Sequence, residues 1–97
     1  MSRESTLQEA LRCVTKDRQN SYGTPEQNFK RISGLWSMYL NKYISPVDVC
    51  NLMILLKIAR TQSSPDYSDN WIDIAGYSAC AEELSQEEEK EKCQESC

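Results

Sequence analysis

The chain has no histidine in 97 residues. That removes the commonest general acid–base group and every Cys–His or Ser–His nucleophilic pair. It leaves any zinc to thiolates and carboxylates alone. There are five cysteines, an odd number, and no two stand as Cys-x-x-Cys. Cys13, Cys50 and Cys80 fall among apolar residues, while Cys93 and Cys97 are four apart near the end. They are expected to be reduced thiols rather than a disulfide framework or a metal knot. No run approaches the roughly 20 apolar residues that span a bilayer. No apolar segment follows Met1-Ser2-Arg3-Glu4-Ser5 as it would in a signal peptide. A cytoplasmic protein with no membrane partner is the expectation. Gly-x-Ser-x-Gly and Gly-x-x-x-x-Gly-Lys are both missing, so neither a hydrolase elbow nor a phosphate loop is present. Alternating strand patterns and internal repeats are absent too, which points to an all-α chain.

The net charge of −4 is unevenly spread. Glu82, Glu83, Glu87, Glu88, Glu89, Glu91 and Glu95 face only Lys90 and Lys92 in the last stretch. The body is nearly neutral and carries no basic stripe, so duplex DNA is not an expected partner. This contrast divides the chain into one all-α domain over 1–84 and an acidic segment over 85–97, either fraying helix or solvated tail.

Four helices are predicted. Ser5-Thr6-Leu7-Gln8 has capping-box form and opens a helix over about 5–19. Thr24-Pro25-Glu26-Gln27 starts a second, with Pro25 at its first position and an end near Asn41. Ser45-Pro46-Val47-Asp48 repeats that grammar and starts a third, running to about Thr61. Its near-continuous apolar character marks it as a buried, central element. Ser68 or Asp69 caps the fourth, where Trp71, Ile74, Ala75 and Ser78 share one face and Tyr77, Ala81 and Leu84 an adjacent one. Trp36 and Trp71 fit these stripes as core residues. Gly76 inside that helix costs about 1 kcal/mol against alanine, a cost that a closely pressed neighbour would explain. The fold class is a four-helix bundle-like single domain, and its small size favours a homo-oligomer.

Charge on the third helix is the strongest functional signal. Lys57 and Arg60 lie three apart on an otherwise apolar helix. Buried charges need a partner or a ligand. A guanidinium fork beside an ammonium suits phosphate; equally, both stems can run along the core toward water at the helix end. Asp69 and Asp73 are four apart on the next helix. They could hold magnesium, which takes oxygen ligands. Alternatively Asp69 caps the helix and Asp73 pairs with Lys57 or Arg60. Arg18, and Tyr22-Gly23 before a helix start, form a third candidate, since free N–H groups at a helix N-terminus attract anions and Tyr22 could stack on a base.

Taken together, Asp17-Arg18…Tyr22-Gly23-Thr24-Pro25-Glu26-Gln27-Asn28-Phe29, Leu35-Trp36-Ser37-x-Tyr39-Leu40, Leu56-Lys57-Ile58-Ala59-Arg60 and Asp69-Asn70-Trp71-Ile72-Asp73-Ile74-Ala75-Gly76-Tyr77 resemble DUF6378, a family of small bacteriophage and prophage proteins. The resemblance covers about residues 10–84. It implies expression in the cytoplasm of an infected bacterial cell. The family is distantly similar to all-α nucleotide pyrophosphohydrolases of the MazG type, which hold magnesium on clustered glutamates. This chain departs from that pattern by placing Lys57 and Arg60 where such a site would want carboxylates. The resemblance and the departure together suggest a phage anti-defence sponge. It would be a non-catalytic homo-oligomer that sequesters a phosphate-bearing nucleotide, such as a host immune signal, at Arg18, Tyr22, Lys57, Arg60, Asp69, Trp71 and Asp73. A magnesium-dependent pyrophosphohydrolase using Asp69 and Asp73 is one alternative. A protein–protein adaptor with an acidic tail that imitates nucleic acid is another.

Overall fold

A computed structural model describes residues 1–17 and 23–95. Among them are four α-helices and no strand: α1 (Arg3–Arg12), α2 (Pro25–Leu40), α3 (Pro46–Ser63) and α4 (Ser68–Glu95), with a π-helical turn at Cys13–Asp17 directly after α1. No helix of the described residues is long and apolar enough to cross a membrane.

The two proline-led starts form as their sequences dictate. Thr24 Oγ1 accepts the Gln27 N–H while Gln27 Oε1 accepts the Thr24 N–H, both at 3.2 Å. Ser45 and Asp48 exchange the same pair of bonds at 3.0 and 3.1 Å. Each box satisfies two donors that a helix start leaves orphaned. Gly23 sits at φ 81° just before the first box, and a Cβ there would meet Gln27 Oε1 at 2.8 Å. Helix α2 closes at Asn41, whose φ of 52° turns the chain so that its N–H reaches the Met38 and Ser37 carbonyls. Ser33 and Ser37 then donate their hydroxyls to the Ile44 carbonyl, and the Ile44 N–H donates back to Ser37 Oγ at 2.8 Å. These bonds strap the connecting loop onto α2.

Three local expectations are corrected. Helix α1 begins at Arg3, because Ser2 stands upstream with the same chemistry and its hydroxyl accepts the Ser5 N–H at 3.1 Å. Ser5 instead donates its own hydroxyl to the Ser2 carbonyl. The helix does run on past Arg12, but as a π turn over Cys13–Asp17, and its expected end near residue 19 lies outside the described residues. At the fourth helix neither proposed cap holds: Ser68 is already helical, which puts Asp69 inside the first turn, where its charge still suits the helix dipole.

Packing overturns the assumed centre of the fold. The core consists of Phe29, Val49, Cys50, Tyr77, Cys80 and Leu84, with Val14, Ile32, Trp36, Met53 and Ile54 against it. Phe29 and Tyr77 meet edge to face at 5.8 Å, a favoured aromatic geometry. Helix α3 buries only Val49, Cys50 and Thr61 fully and leaves Leu52, Leu55, Leu56 and Ile58 exposed. The shared element is α4, which packs on α3 most extensively and also on α1 and α2. Its buried positions over residues 68–90 are Asn70, Ile72, Gly76, Tyr77, Cys80 and Leu84. The Tyr77–Leu84 stripe is therefore the core face, whereas the Trp71–Ser78 stripe exposes Trp71 and Ser78 and half-buries Ile74 and Ala75, the latter on the side of α1.

Gly76 marks the close approach of α4 to the π turn. A Cβ built there would lie 3.0 Å from Val14 Cγ1, and a β-branched side chain has few rotamers into which to retreat. Gly76→Ala is therefore expected to lower the melting temperature despite the gain in helix propensity of about 1 kcal/mol. In a Val14→Ala background the same substitution should raise it. Thermal unfolding of the four proteins measures this change of sign as a double-mutant cycle.

Candidate functional site

Lys57 lies seven residues after Cys50 and four before Thr61, both buried, so helical spacing turns it inward. Asp73 precedes buried Tyr77 by four residues and Cys80 by seven, which places it on the core face of α4. The two meet across the α3–α4 seam with Lys57 Nζ 2.9 Å from Asp73 Oδ2. The lysine side chain is 13% exposed and the aspartate 30%. Of the two partners open to Asp73, the structure selects Lys57. Arg60, one turn further on, is exposed and pairs with no acid among the described residues.

The other candidates are placed as follows. Asp69 is exposed in the first turn of α4. Trp71 is 48% exposed and is thus not a core residue. Its indole Nε1–H donates to the Pro65 carbonyl at 2.9 Å, which ties the α3–α4 turn to α4. A half-exposed ring is what lets that N–H reach a loop carbonyl. Arg18 and Tyr22 lie outside the described residues.

Chemically, the arrangement presents an ammonium held by an acid and a guanidinium that is not. An exposed guanidinium suits an anion, whereas the Lys57 ammonium is mostly enclosed and already engaged by Asp73. A divalent cation is less well served. Asp73 already accepts the lysine ammonium, and no group of three or more His, Cys, Asp or Glu residues suited to a metal occurs among the described residues.

A second charged locus escaped the sequence pattern because it joins distant segments. Glu26 at the start of α2 holds Lys30 at 2.8 Å, and Glu87 of α4 lies alongside. Lys30 and Glu87 line a hollow of about 220 Å³ together with Ser33, Tyr43, Pro46, Leu84 and Glu88. The Lys30 hydrogen bond and charge hold the Glu26 carboxyl below its ordinary 4.5. Desolvation, followed by the charge of Glu26, pushes Glu87 above that value. A run of glutamates announced a solvated face, and nothing in it identified the one opposite Glu26.

Comparison with known proteins places these features in a phage context. A family model described as a domain of unknown function (DUF6378) matches residues 5–85. The Gene 55 protein of Mycobacterium phage D29 is 48% identical over 84 residues, which is 87% of this chain and 56% of that protein. The Gene 55 protein of Mycobacterium phage L5 is 36% identical over 87 residues, 89% of this chain and again 56% of that protein. The chain thus spans about half the length of these curated relatives. No solved structure matches it.

The two displaced carboxyls give opposite pH signatures. Glu26, lowered, contributes stability above 4.5 that is lost as pH falls through its lowered value. Glu87, raised, is penalised when ionised, so its protonation adds stability as pH falls through its raised value toward 4.5. Glu87→Gln is therefore expected to raise the melting temperature at neutral pH. The difference from the unsubstituted chain should vanish below pH 4.5, as a pH series of thermal melts would show.

Proposed function

The chain belongs to the DUF6378 family, and from that premise we propose that it is a non-catalytic binding protein for a phosphate-bearing nucleotide. Arg60 is the primary anchor for the phosphate. Lys57 supplies additional N–H donors from its seat beside Asp73, and the exposed face of Trp71 is available to a base. The observation that carries this assignment is the Lys57–Asp73 contact of 2.9 Å beside an exposed Arg60 that pairs with no acid among the described residues. It leaves local positive charge at the C-terminal end of α3 and no open pair of carboxylates. The same contact disfavours the magnesium-dependent pyrophosphohydrolase alternative, in which Asp73 would have to give up the lysine and join Asp69 on a metal. The relatives are phage proteins, which sets the proposal in an infected cell, where holding a host nucleotide out of circulation would benefit the virus.

The full chain is to be incubated with mixed linear and cyclic nucleotides, washed and heat-denatured. Intact nucleotide is expected in the supernatant. Arg60→Ala, an exposed substitution, should reduce affinity about tenfold or more, the scale of one charge-assisted hydrogen bond. Recovery of cleaved products, or of no nucleotide at all, overturns the proposal.

A further inference from the structure

The exposed side of α3 is the least expected feature of the molecule. A helix that is apolar all round is normally enclosed, yet here Leu55 is 59% exposed, and Leu52, Leu56 and Ile58 are exposed as well. With Ala59, also exposed, Leu52, Leu55 and Leu56 fall at the spacing of a helix–helix seam. Scattered surface leucines need no explanation, whereas a contiguous apolar stripe on one helix does. We infer that this stripe is covered by α3 of a second copy of the chain, in antiparallel orientation about a two-fold axis at Leu55.

The polar residues at the ends of the stripe select both the partner and the direction. Asp48 and Gln62 lie seven residues on either side of Leu55, on the same face and both exposed. An antiparallel copy therefore sets the Asp48 carboxylate opposite a Gln62 amide, an acceptor against a donor. Leu52 then faces Ile58 of the second copy, and the small Ala59 faces Asn51. The helix dipoles also oppose one another. A parallel pair would instead set Asp48 against Asp48 and stack like charges at the apolar seam. The stripe is thus self-complementary in one direction only, as an isologous interface requires. One helix face per copy is less than the ~800 Å² per partner of a standard stable interface, so the dimer forms reversibly with concentration. Neither Lys57 nor Arg60 lies on the stripe, so this inference stands apart from the nucleotide proposal.

Sedimentation equilibrium of the full chain without nucleotide, over a concentration series, tests it. A monomer–dimer equilibrium is expected. Leu55→Glu should abolish it without change in the far-ultraviolet circular dichroism, and Leu52→Lys serves as the second probe. Asp48→Asn, which retains an oxygen for the Ser45 N–H, should leave the dissociation constant within about twofold, since the amide can still meet Gln62. A chain monomeric at every concentration, a larger oligomer, or a dimer indifferent to both leucine variants overturns the inference. A several-fold tighter Asp48→Asn dimer overturns the antiparallel orientation.

Discussion

A lysine turned inward on an apolar helix obliges the helix it faces to supply an acid. Removing an ammonium from water is expensive unless a counter-charge meets it, and Asp73 meets Lys57 at 2.9 Å. That one contact governs much of the rest. It places Lys57 on the same inward side of α3 as Val49, Cys50 and Thr61. Two residues along a helix is more than half a turn, so committing Lys57 to the interior commits Leu55 to the outside. It also orients α4 so that Tyr77, Cys80 and Leu84 reach the core while Trp71 faces out and holds the Pro65 carbonyl.

The functional proposals are consequences of that choice. With Asp73 taken by an internal cation, the Asp69–Asp73 spacing is disfavoured as a metal site. With Lys57 mostly enclosed, Arg60 remains as the exposed cation of the pair. With the inner face of α3 filled, its leucine stripe is left for a second copy. The two proposals, a nucleotide anchored at Arg60 and a second copy paired on the leucine stripe, call on different sides of one helix, and neither requires a catalytic group.

Local features were legible in the sequence where the physics is local. The capping boxes at Thr24 and Ser45 and the end of α2 at Asn41 need only residues within one turn of each other, and they form as expected. Ser5 was misassigned because Ser2 offers the same hydroxyl one turn earlier. The close approach at Gly76 was anticipated, but its agent, Val14, sits in a π turn that no spacing rule foretold. Tertiary choices were less legible. An all-apolar pattern on α3 has no preferred face, so composition suggested burial throughout, when one chain this short has neighbours for only one side. Trp71 and Tyr77 both fit helical stripes, and only the position of Lys57 decides between them. Pairing of Asp73 with Lys57 or Arg60 was readable as one of two possibilities beside a magnesium site, and the nearness of Glu26 to Glu87 was not readable at all.

The most direct test of this account is the coupling between Lys57 and Asp73 in the folding free energy. Unfolding in urea of the unsubstituted chain, Lys57→Met, Asp73→Asn and the double variant forms a complete cycle. The account predicts that each single variant is destabilised and that the double loses less than their sum, with a coupling of about 1–3 kcal/mol. Additive losses with no coupling would mean that the two charges do not depend on one another, and would contradict the claim that their contact sets the face of α3 that is buried.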